Sequence, residues 1–314
     1  MENAGALSFA KIEAQGFLRD GRVLAMLAAA AISLKAIFVK LAYLAAPVDA
    51  ITLLTLRMGL VLPVFLWMAR GGGLRPRQWA GLLATGVLGF YLSSLFDFIG
   101  LHFISSGLER LILFTYPPVV MLIESLWERR PLGRKAWLGM GLAYAGLVLA
   151  MGGDLRQAGD PAAIFAGAGW VLLCSLCFAA YSLGSGRMVK SVGPRRMAGM
   201  AGSVATLFIF GHFLTVHRVA DLAGLPTDLW KWSAAMALVS TLLPIWLTAR
   251  AMAQIGAGAT SAIGTIGPAL TIGFSWVILG EPFSWLQLAG LALVVGGVSA
   301  GSGRGRSTNR RTVP

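Results

Sequence analysis

The sequence predicts an all-α integral membrane protein, in which ten transmembrane helices form two inverted five-helix repeats with the N- and C-termini in the cytoplasm. Three observations support this prediction. The first is composition, since 57% of the 314 residues are hydrophobic and 12% are charged, whereas soluble proteins carry about 25% charged residues. The second is an internal repeat. The third is an uneven distribution of basic residues between the loops.

The internal repeat relates residues 101–150 to residues 252–301 by a constant offset of 151 positions. Each copy contains an apolar helix with a central proline, then a short polar turn, then a second apolar helix rich in glycine. A repeat of about half the chain length in a hydrophobic sequence is typical of duplicated membrane proteins. The matching positions are Ile104, Gly107, Ile112, Pro117, Pro131, Gly139, Leu142 and Gly146, and Ile255, Gly258, Ile263, Pro268, Pro282, Gly290, Leu293 and Gly297.

Ten apolar segments have lengths close to the roughly 20 residues that a helix needs to cross a bilayer. They are predicted at 22–46, 49–69, 78–98, 103–127, 136–152, 163–184, 197–217, 232–250, 255–279 and 284–302. The predicted organisation is a cytoplasmic N-terminal segment (1–21), a first five-helix repeat (22–152), an outer linker (153–162), a second five-helix repeat (163–302) and a basic cytoplasmic tail (303–314).

The distribution of basic residues predicts the orientation, because loops rich in Lys and Arg remain in the cytoplasm. With the N-terminus placed there, nineteen basic residues fall on the cytoplasmic side and three fall outside, namely Arg156, Arg218 and Lys231. Five helices per copy is an odd number, so the second copy must start from the opposite side. The arginine-rich turn 128–135 and its counterpart 280–286, which contains Glu281 and no basic residue, agree with that inversion. The expected location is the plasma membrane, as the inner membrane of a bacterium.

Several other functions are excluded or disfavoured by the residues. The net charge of +13 does not indicate nucleic-acid binding, because the basic residues sit in short loops rather than along one face. Cys174 and Cys177 form a C-x-x-C inside an apolar run, which favours buried side chains over redox or metal chemistry. The chain has neither a Walker A motif nor H-E-x-x-H. We therefore predict no catalytic residues, no metal, no cofactor and no enzyme activity.

The sequence resembles the EamA-type transporters of the drug/metabolite transporter superfamily, and most closely the exporters of amino acids, including aromatic ones. The resemblance rests on Phe38-Val39-Lys40-Leu41, on Thr52-Leu53-Leu54-Thr55-Leu56-Arg57, and on the doubled proline, turn and glycine-rich helix with Leu279-Gly280-Glu281-Pro282. Arg129-Arg130-Pro131 replaces the usual Gly-Glu turn in the first copy, so we expect that turn to be structural. The resemblance implies secondary transport, often export, and a central cavity shared by helices 1, 3, 4, 6, 8 and 9.

Ionisable residues within the spans are candidate functional groups, because each costs about 2.5–3.5 kcal/mol to insert. Lys35 lies near the middle of the first span and is predicted to meet a substrate carboxylate. Arg57 and Glu109 are predicted to form a structural ion pair. Asp97 and His102 are placed at a solvated outer loop.

Aromatic and hydroxyl side chains near the midplane are further candidates for substrate binding, alongside packing as the alternative for each. Prolines within spans are predicted to kink helices and leave carbonyl groups free at a cavity. The substrate-binding candidates are Lys35, Tyr91, Ser94, Tyr116, Trp170, Tyr181, Trp246 and Thr265, and the hinge candidates are Pro117, Pro244 and Pro268.

The resulting functional prediction is a secondary transporter of small zwitterionic or anionic metabolites, with amino-acid export by alternating access as the first hypothesis. A carrier of sugar phosphates or nucleotide sugars is the alternative within the superfamily, because Lys35 and Lys40 together would suit a phosphate. A membrane-embedded enzyme and a channel are the alternatives from other classes. Membrane lipids are the expected surroundings, and the residues leave the oligomeric state open, with a monomer plausible.

Overall fold

The described part of the chain, which in this computed structural model comprises residues 20–129, 131–157 and 160–302, contains ten long helices and a short 3₁₀ helix, Val219–Leu222. We call the end of the bundle where α1 begins the Gly21 end, and the end where α1 finishes the Ala45 end. Successive helices alternate in direction between these ends. The helices are α1 Gly21–Ala45, α2 Ala50–Ala69, α3 Pro76–Phe103, α4 Ser106–Glu128, α5 Arg134–Gln157, α6 Pro161–Val192, α7 Pro194–Val216, α8 227–255, α9 257–279 and α10 Trp285–Ser302.

The all-helical prediction is confirmed for the described residues, which contain no β-strand. Eight helices there are long and apolar enough to cross a membrane, and two shorter apolar helices, Gly267–Leu279 and Trp285–Gly301, follow them. The number of crossings and the cytoplasmic position of the termini remain predictions. The tail at 303–314 and most of the N-terminal segment lie outside the described residues, and α5 continues to Gln157, into the segment predicted as the outer linker.

The boundary between α8 and α9 is set by Gly256. Helical residues extend over Thr227–Gly264, a stretch of 38 residues that would be about 57 Å long as one straight helix, far more than the roughly 30 Å hydrocarbon core. At Gly256, however, φ is 80° and ψ is 161°, a conformation that glycine adopts without the steric penalty of a Cβ atom. The chain therefore turns close to the predicted boundary, one residue inside the predicted ninth span (255–279), and α8 runs five residues beyond its predicted end at 250.

The duplication appears in local backbone features as well as in residue type. A π-helical turn at Val87–Leu92 in α3 has a counterpart at Leu238–Leu242 in α8. The helical pattern of α4 is broken at residues 114–115, and that of α9 at 265–266. Each of these pairs starts 151 residues apart, so the offset found in the sequence also relates the irregularities of the helices.

The pairing of helices shows the same two-fold relation between the repeats. Helix α1 packs on α8 and α3 packs on α6, which are equivalent pairs when each helix is exchanged for the one five places away. Helices α2 and α7, α4 and α9, and α5 and α10 pack as pairs that this exchange maps onto themselves. The two-repeat architecture is therefore confirmed in three dimensions.

The crossing of α5 and α10 depends on glycines of the repeat. A Cβ atom built on Gly146 would lie 2.7 Å from the carbonyl oxygen of Gly290, and one on Gly139 would meet the carbonyl oxygen of Gly297. The reciprocal contacts place Gly290 against Gly146 and Gly297 against Gly139. Small residues at such crossings let helix backbones approach closely, so the glycines shared by both copies form the crossing of α5 and α10, one of the contacts between the repeats.

Candidate functional site

Four charged side chains meet inside the half of the bundle nearer the Ala45 end. We call Lys35, Asp97, Glu109 and Arg110 the charged cluster. The ammonium group of Lys35 on α1 donates to Oδ2 of Asp97 on α3 at 2.6 Å, and the two side chains are 17% and 1% exposed. A buried pair of this kind is costly to break from one side, because the remaining charge is left without a partner.

Local helix geometry brings Asp97 and Glu109 to this position. Ser105 caps α4 by accepting a hydrogen bond from the amide of Leu108, so that Glu109 and Arg110 lie in the first turns of the helix. Residues 106–112 are all buried. On α3, Asp97 lies about one and a half turns after the π-helical turn Val87–Leu92. Such distortions are frequent at functional sites.

Arg110 links the cluster to the second repeat. Its Nε donates to the hydroxyl of Thr271 on α9 at 3.1 Å, and one of its terminal nitrogens donates to the carbonyl oxygen of Ile32 on α1 at 2.8 Å. The guanidinium thus bridges α4, α1 and α9. Relative movement of the two repeats would change these bonds.

The predicted ion pair between Arg57 and Glu109 is not formed. Arg57 instead donates from Nε to the hydroxyl of Thr241 at 3.1 Å, and its guanidinium lies over the ring of Phe98, 5.6 Å from the centroid. Both oxygens of the fully buried Glu109 are without a donor group. The group that faces Glu109 is the carboxyl group of Asp97, because α4 presents Glu109 toward α3 rather than toward α2.

The placement of Asp97 and His102 in a solvated loop is wrong. Both residues belong to α3, whose last segment runs Ser93–Phe103. Asp97 is buried in the charged cluster, whereas His102 is exposed and its ring meets that of Tyr43 at 5.1 Å. A signal for Asp97 did exist in the sequence, since the predicted third span, 78–98, already includes Asp97, and a lysine inside the membrane favours an acidic partner.

Two of the aromatic candidates, Tyr116 and Tyr181, come together on the side of the charged cluster that faces the Gly21 end. The ring of Tyr116 on α4 lies 4.9 Å from that of Phe178 on α6. Phe178 in turn lies 5.5 Å from Tyr181, and Tyr181 lies 5.7 Å from Phe90 of α3. We call Phe90, Tyr116, Phe178 and Tyr181 the aromatic cluster. It continues along α4 and α6 from the charged cluster toward the Gly21 end.

The remaining candidates for substrate binding are dispersed. Tyr91 has its hydroxyl 2.9 Å from Nδ1 of His212, the ring of Trp170 lies 5.5 Å from that of Phe96, and Ser94 is half-buried on α3. Trp246 is 46% exposed, with Arg250 over its ring. Thr265 is exposed and donates to the carbonyl oxygen of Ala262. A role in binding remains a prediction for all of these residues.

Two cavities open near the Gly21 end. One of about 420 Å³ lies between α4 and α6, and its lining includes Glu124, Trp127 and Arg187. The other, of about 820 Å³, lies between α1, α9 and α10 and is lined in part by Thr265. The start of α9 is largely exposed at this end, whereas the equivalent start of α4, at the Ala45 end, is buried. The two related helices therefore differ in exposure at equivalent positions.

A hydrogen-bond network closes the Ala45 end. Asp154 of α5 accepts from the amide and the hydroxyl of Ser105 at 3.0 and 2.9 Å, and from Nε2 of Gln287 at 2.8 Å. Glu281, in the turn before α10, accepts from the amide of Ser106 at 3.0 Å. Two carboxylates thus bind the positive N-terminus of α4 and join helices of both repeats.

Replacement of Asp154 by alanine is expected to lower the stability of the protein by about 1–3 kcal/mol. The backbone amide of Ser105 would lose its acceptor, and Nε2 of Gln287 would keep only the hydroxyl of Ser105. Thermal unfolding in detergent measures the effect. Asp228→Asn is the control, because Asp228 is 63% exposed and pairs only with Lys231 at the surface. An equal shift for both variants would show that the network adds nothing beyond a surface charge.

The three hinge candidates all lie at helix irregularities. Pro117 and Pro268 are in the first turns of the helical pieces that follow the breaks in α4 and α9. Pro244 follows the π-helical turn of α8 in the same way. Proline is tolerated in a first turn because its missing N–H would have no helical partner there. Whether the three positions move remains a prediction.

Metal binding has no candidate among the residues that the structure describes, where no group of three His, Cys, Asp or Glu side chains could hold an ion. Cys174 and Cys177 are both free cysteines. Cys174 is buried on α6 next to the charged cluster.

Comparison with known proteins agrees with this architecture. The model of the EamA-like transporter family matches residues 20–152 and 165–300. The uncharacterized transporter YcbK of Bacillus subtilis (strain 168) is 29% identical over 298 residues, which cover 89% of this chain and 93% of that protein. The uncharacterized transporter YetK of the same organism is 25% identical over 222 residues, which cover 69% of this chain and 66% of YetK.

A solved crystal structure is similar with a TM-score of 0.59 over 90% of this chain and 98% of the other, at 16% identity, a likeness that concerns the fold alone. The family model, by contrast, matches most of the chain as two consecutive copies, and those copies are the two repeats whose helices pair about the two-fold relation. The chain therefore belongs to the EamA-like transporter family.

Proposed function

We propose that this transporter exports amino acids, both aromatic and other neutral ones, through a site made of the charged cluster and the aromatic cluster. The observation that carries the proposal is the buried pair of Lys35 and Asp97, 2.6 Å apart. An amino acid presents a carboxylate and an ammonium group on one carbon atom. It can replace the internal pair by binding its carboxylate to Lys35 and its ammonium group to Asp97, so that no buried charge is left alone.

The arrangement of the two clusters supports this order of events. The cavity between α4 and α6 opens at the Gly21 end, the aromatic cluster follows along the same helices, and the charged cluster lies beyond it. An aromatic side chain of the substrate would contact Tyr116 and Tyr181 while its charged groups reach Lys35. We propose that the Gly21 end is cytoplasmic and that the protein lies in the bacterial inner membrane.

Alternating access is proposed as the mechanism, because the two repeats differ in exposure at equivalent positions. The start of α4 is closed by Asp154 and Glu281, whereas the start of α9 is open. If the buried arrangement passed from the start of α4 to the start of α9, the Gly21 end would close and the Ala45 end would open. Arg110 bonds to both repeats through Ile32 and Thr271, so these hydrogen bonds would break or change partners during that exchange.

The alternative cargo, a sugar phosphate or a nucleotide sugar, is less well supported by the positions of the lysines. Lys35 is already paired with Asp97. Lys40 lies near the carboxylates of Glu281 and Asp154. Neither ammonium group is available to a phosphate without displacing a carboxylate, and a dianion brings no cation to compensate the carboxylates that it displaces.

Counterflow in proteoliposomes tests the proposal. Vesicles with the purified protein are loaded with unlabelled phenylalanine, leucine or alanine, and uptake of the labelled amino acid is followed, with a sugar phosphate as the comparison cargo. We expect saturable exchange of amino acids. Exchange of the sugar phosphate alone would reject amino-acid transport in favour of the alternative.

Tyr181→Ala is expected to raise the KM for phenylalanine about fivefold relative to that for alanine, since an aromatic contact contributes about 0.5–1.5 kcal/mol. Tyr144→Ala is the matched control, because Tyr144 is on α5, 36% exposed, and outside both clusters. The measurement is the ratio of the two KM values in each variant. An unchanged ratio in Tyr181→Ala would remove the aromatic cluster from the site.

A further inference from the structure

We propose that Asp97 and Glu109 share one proton, and that an amino acid binds by replacing that proton, so that the transporter exchanges protons for substrate. The inference rests on the proposed function, since it assigns a second ligand, the proton, to the same site. It depends on an observation that the substrate proposal does not use, which is the environment of Glu109.

Glu109 is fully buried, and no donor group of the described chain reaches either of its oxygens. The unpaired oxygen of Asp97, Oδ1, is also buried without a donor. The two carboxyl groups interact with each other. Two carboxyl groups can form a hydrogen bond with each other only when one of them carries a proton. Two ionised carboxylates buried side by side would repel each other strongly. A single shared proton satisfies both side chains.

The surroundings of the pair contain more cations than are needed for one carboxylate. The titratable and charged groups that face it are Lys35 and Tyr43 from α1, Arg57 from α2, Arg110 from α4 and Cys174 from α6. The neighbouring groups from α5, α9 and α10 are Asp154, Thr271 and Gln287, which bond to Ser105 or Arg110. With one proton on the pair, Asp97 remains ionised and bonded to Lys35.

Substrate binding changes this balance in a defined way. The carboxylate of the amino acid bonds to Lys35 in place of Asp97, and its ammonium group enters between Asp97 and Glu109. The ammonium group supplies donors to both carboxylates, so the shared proton is no longer needed and leaves to water. The positive charge of the ammonium group replaces that of the proton, and because the substrate also brings a carboxylate, the net charge of the site falls by one. Proton and substrate therefore compete for the two carboxyl groups, which is the condition for exchange transport.

The direct test is proton release on binding. Purified protein in weakly buffered detergent solution is mixed with phenylalanine, and a pH indicator measures the protons released. We expect release by the wild-type protein and loss of release in Glu109→Gln, whose amide keeps the shape of the side chain but has no titratable proton. Asp228→Asn, at the exposed surface, is the control and should release protons as the wild type does. Binding without proton release by the wild type would overturn the inference, whatever the variants do.

The transport test uses proteoliposomes with an interior more acidic than the medium. We expect accumulation of labelled phenylalanine in wild-type vesicles above the level without a gradient. In Glu109→Gln we expect that accumulation to be lost, whereas Asp228→Asn, at the exposed surface, should accumulate phenylalanine as the wild type does. Failure of wild-type homoexchange would count against amino-acid transport itself. Homoexchange without any gradient-driven accumulation would leave the substrate proposal standing and reject proton exchange.

Discussion

Replacement of Lys35 by methionine is expected to abolish amino-acid transport and to destabilise the protein by about 3–5 kcal/mol. The reason for the loss of stability is that Asp97, which is 1% exposed and pairs with Lys35, would be left as a buried charge without its cation. The reason for the loss of transport is that the substrate carboxylate would lose its partner. Thermal unfolding in detergent and counterflow in proteoliposomes measure the two effects separately.

A double variant separates folding from function. Lys35→Met combined with Asp97→Asn removes both charges, and replacing both partners of a buried pair is often nearly neutral for stability. We therefore expect most of the lost stability to return while transport stays absent. Lys40→Met, one and a half turns away on α1, is the control and should transport amino acids. Normal transport by Lys35→Met would reject Lys35 as a substrate ligand. A double variant that regains transport together with stability would show that Lys35 acts through folding alone.

Replacement of Gly146 by alanine is the second change for which we expect a large effect, a loss of stability at the crossing of α5 and α10. The added Cβ atom would lie 2.7 Å from the carbonyl oxygen of Gly290 and equally close to Cβ of Leu293, so α5 and α10 would have to separate. Overpacking of this kind costs about 1–3 kcal/mol. Thermal unfolding in detergent is the measurement, and we expect a lower midpoint and a lower yield of folded protein.

Gly141 provides a matched control for this prediction. It is on the same helix, it is exposed, and a Cβ atom added there meets nothing within 4 Å. Alanine favours a helix over glycine by up to about 1 kcal/mol, so Gly141→Ala is expected to leave the midpoint unchanged or to raise it. Opposite signs for two identical substitutions five residues apart would assign the effect to the crossing. A fall of the same size in both variants would contradict the proposed contact.

The sequence predicted the features that depend on one helix at a time or on the repeat. The offset of 151 residues makes Gly139 equivalent to Gly290 and Gly146 equivalent to Gly297. The structure brings these four glycines together in crossed pairs, Gly139 with Gly297 and Gly146 with Gly290. The sequence also placed a span boundary close to Gly256, where the backbone leaves the helical conformation. Periodicity, hydropathy and composition carry such information because each is a local property of the chain.

The candidate site was only partly predictable, because its contacts join residues that are far apart in sequence. Lys35 was identified from its depth in the first span, but its partner Asp97 was assigned to a loop, since the third helix extends beyond the apolar segment as far as Phe103. Arg57 and Glu109 lie at similar depths, which made a pair reasonable. Depth does not specify the face of a helix, and the faces of α2 and α4 direct these two side chains to different neighbours.

By itself, the sequence determined that this protein is helical and apolar and that it is built from two related halves, because hydrophobic burial and helix formation follow from residue type and spacing. Only the tertiary structure decided which buried charges meet. It paired Lys35 with Asp97, left Glu109 facing a second carboxyl group, and buried the start of α4 while the equivalent start of α9 stayed exposed. The physical reason is that a charge inside the bundle is stabilised by whichever partner the packing of the helices brings within bonding distance, and that packing is a property of the whole chain.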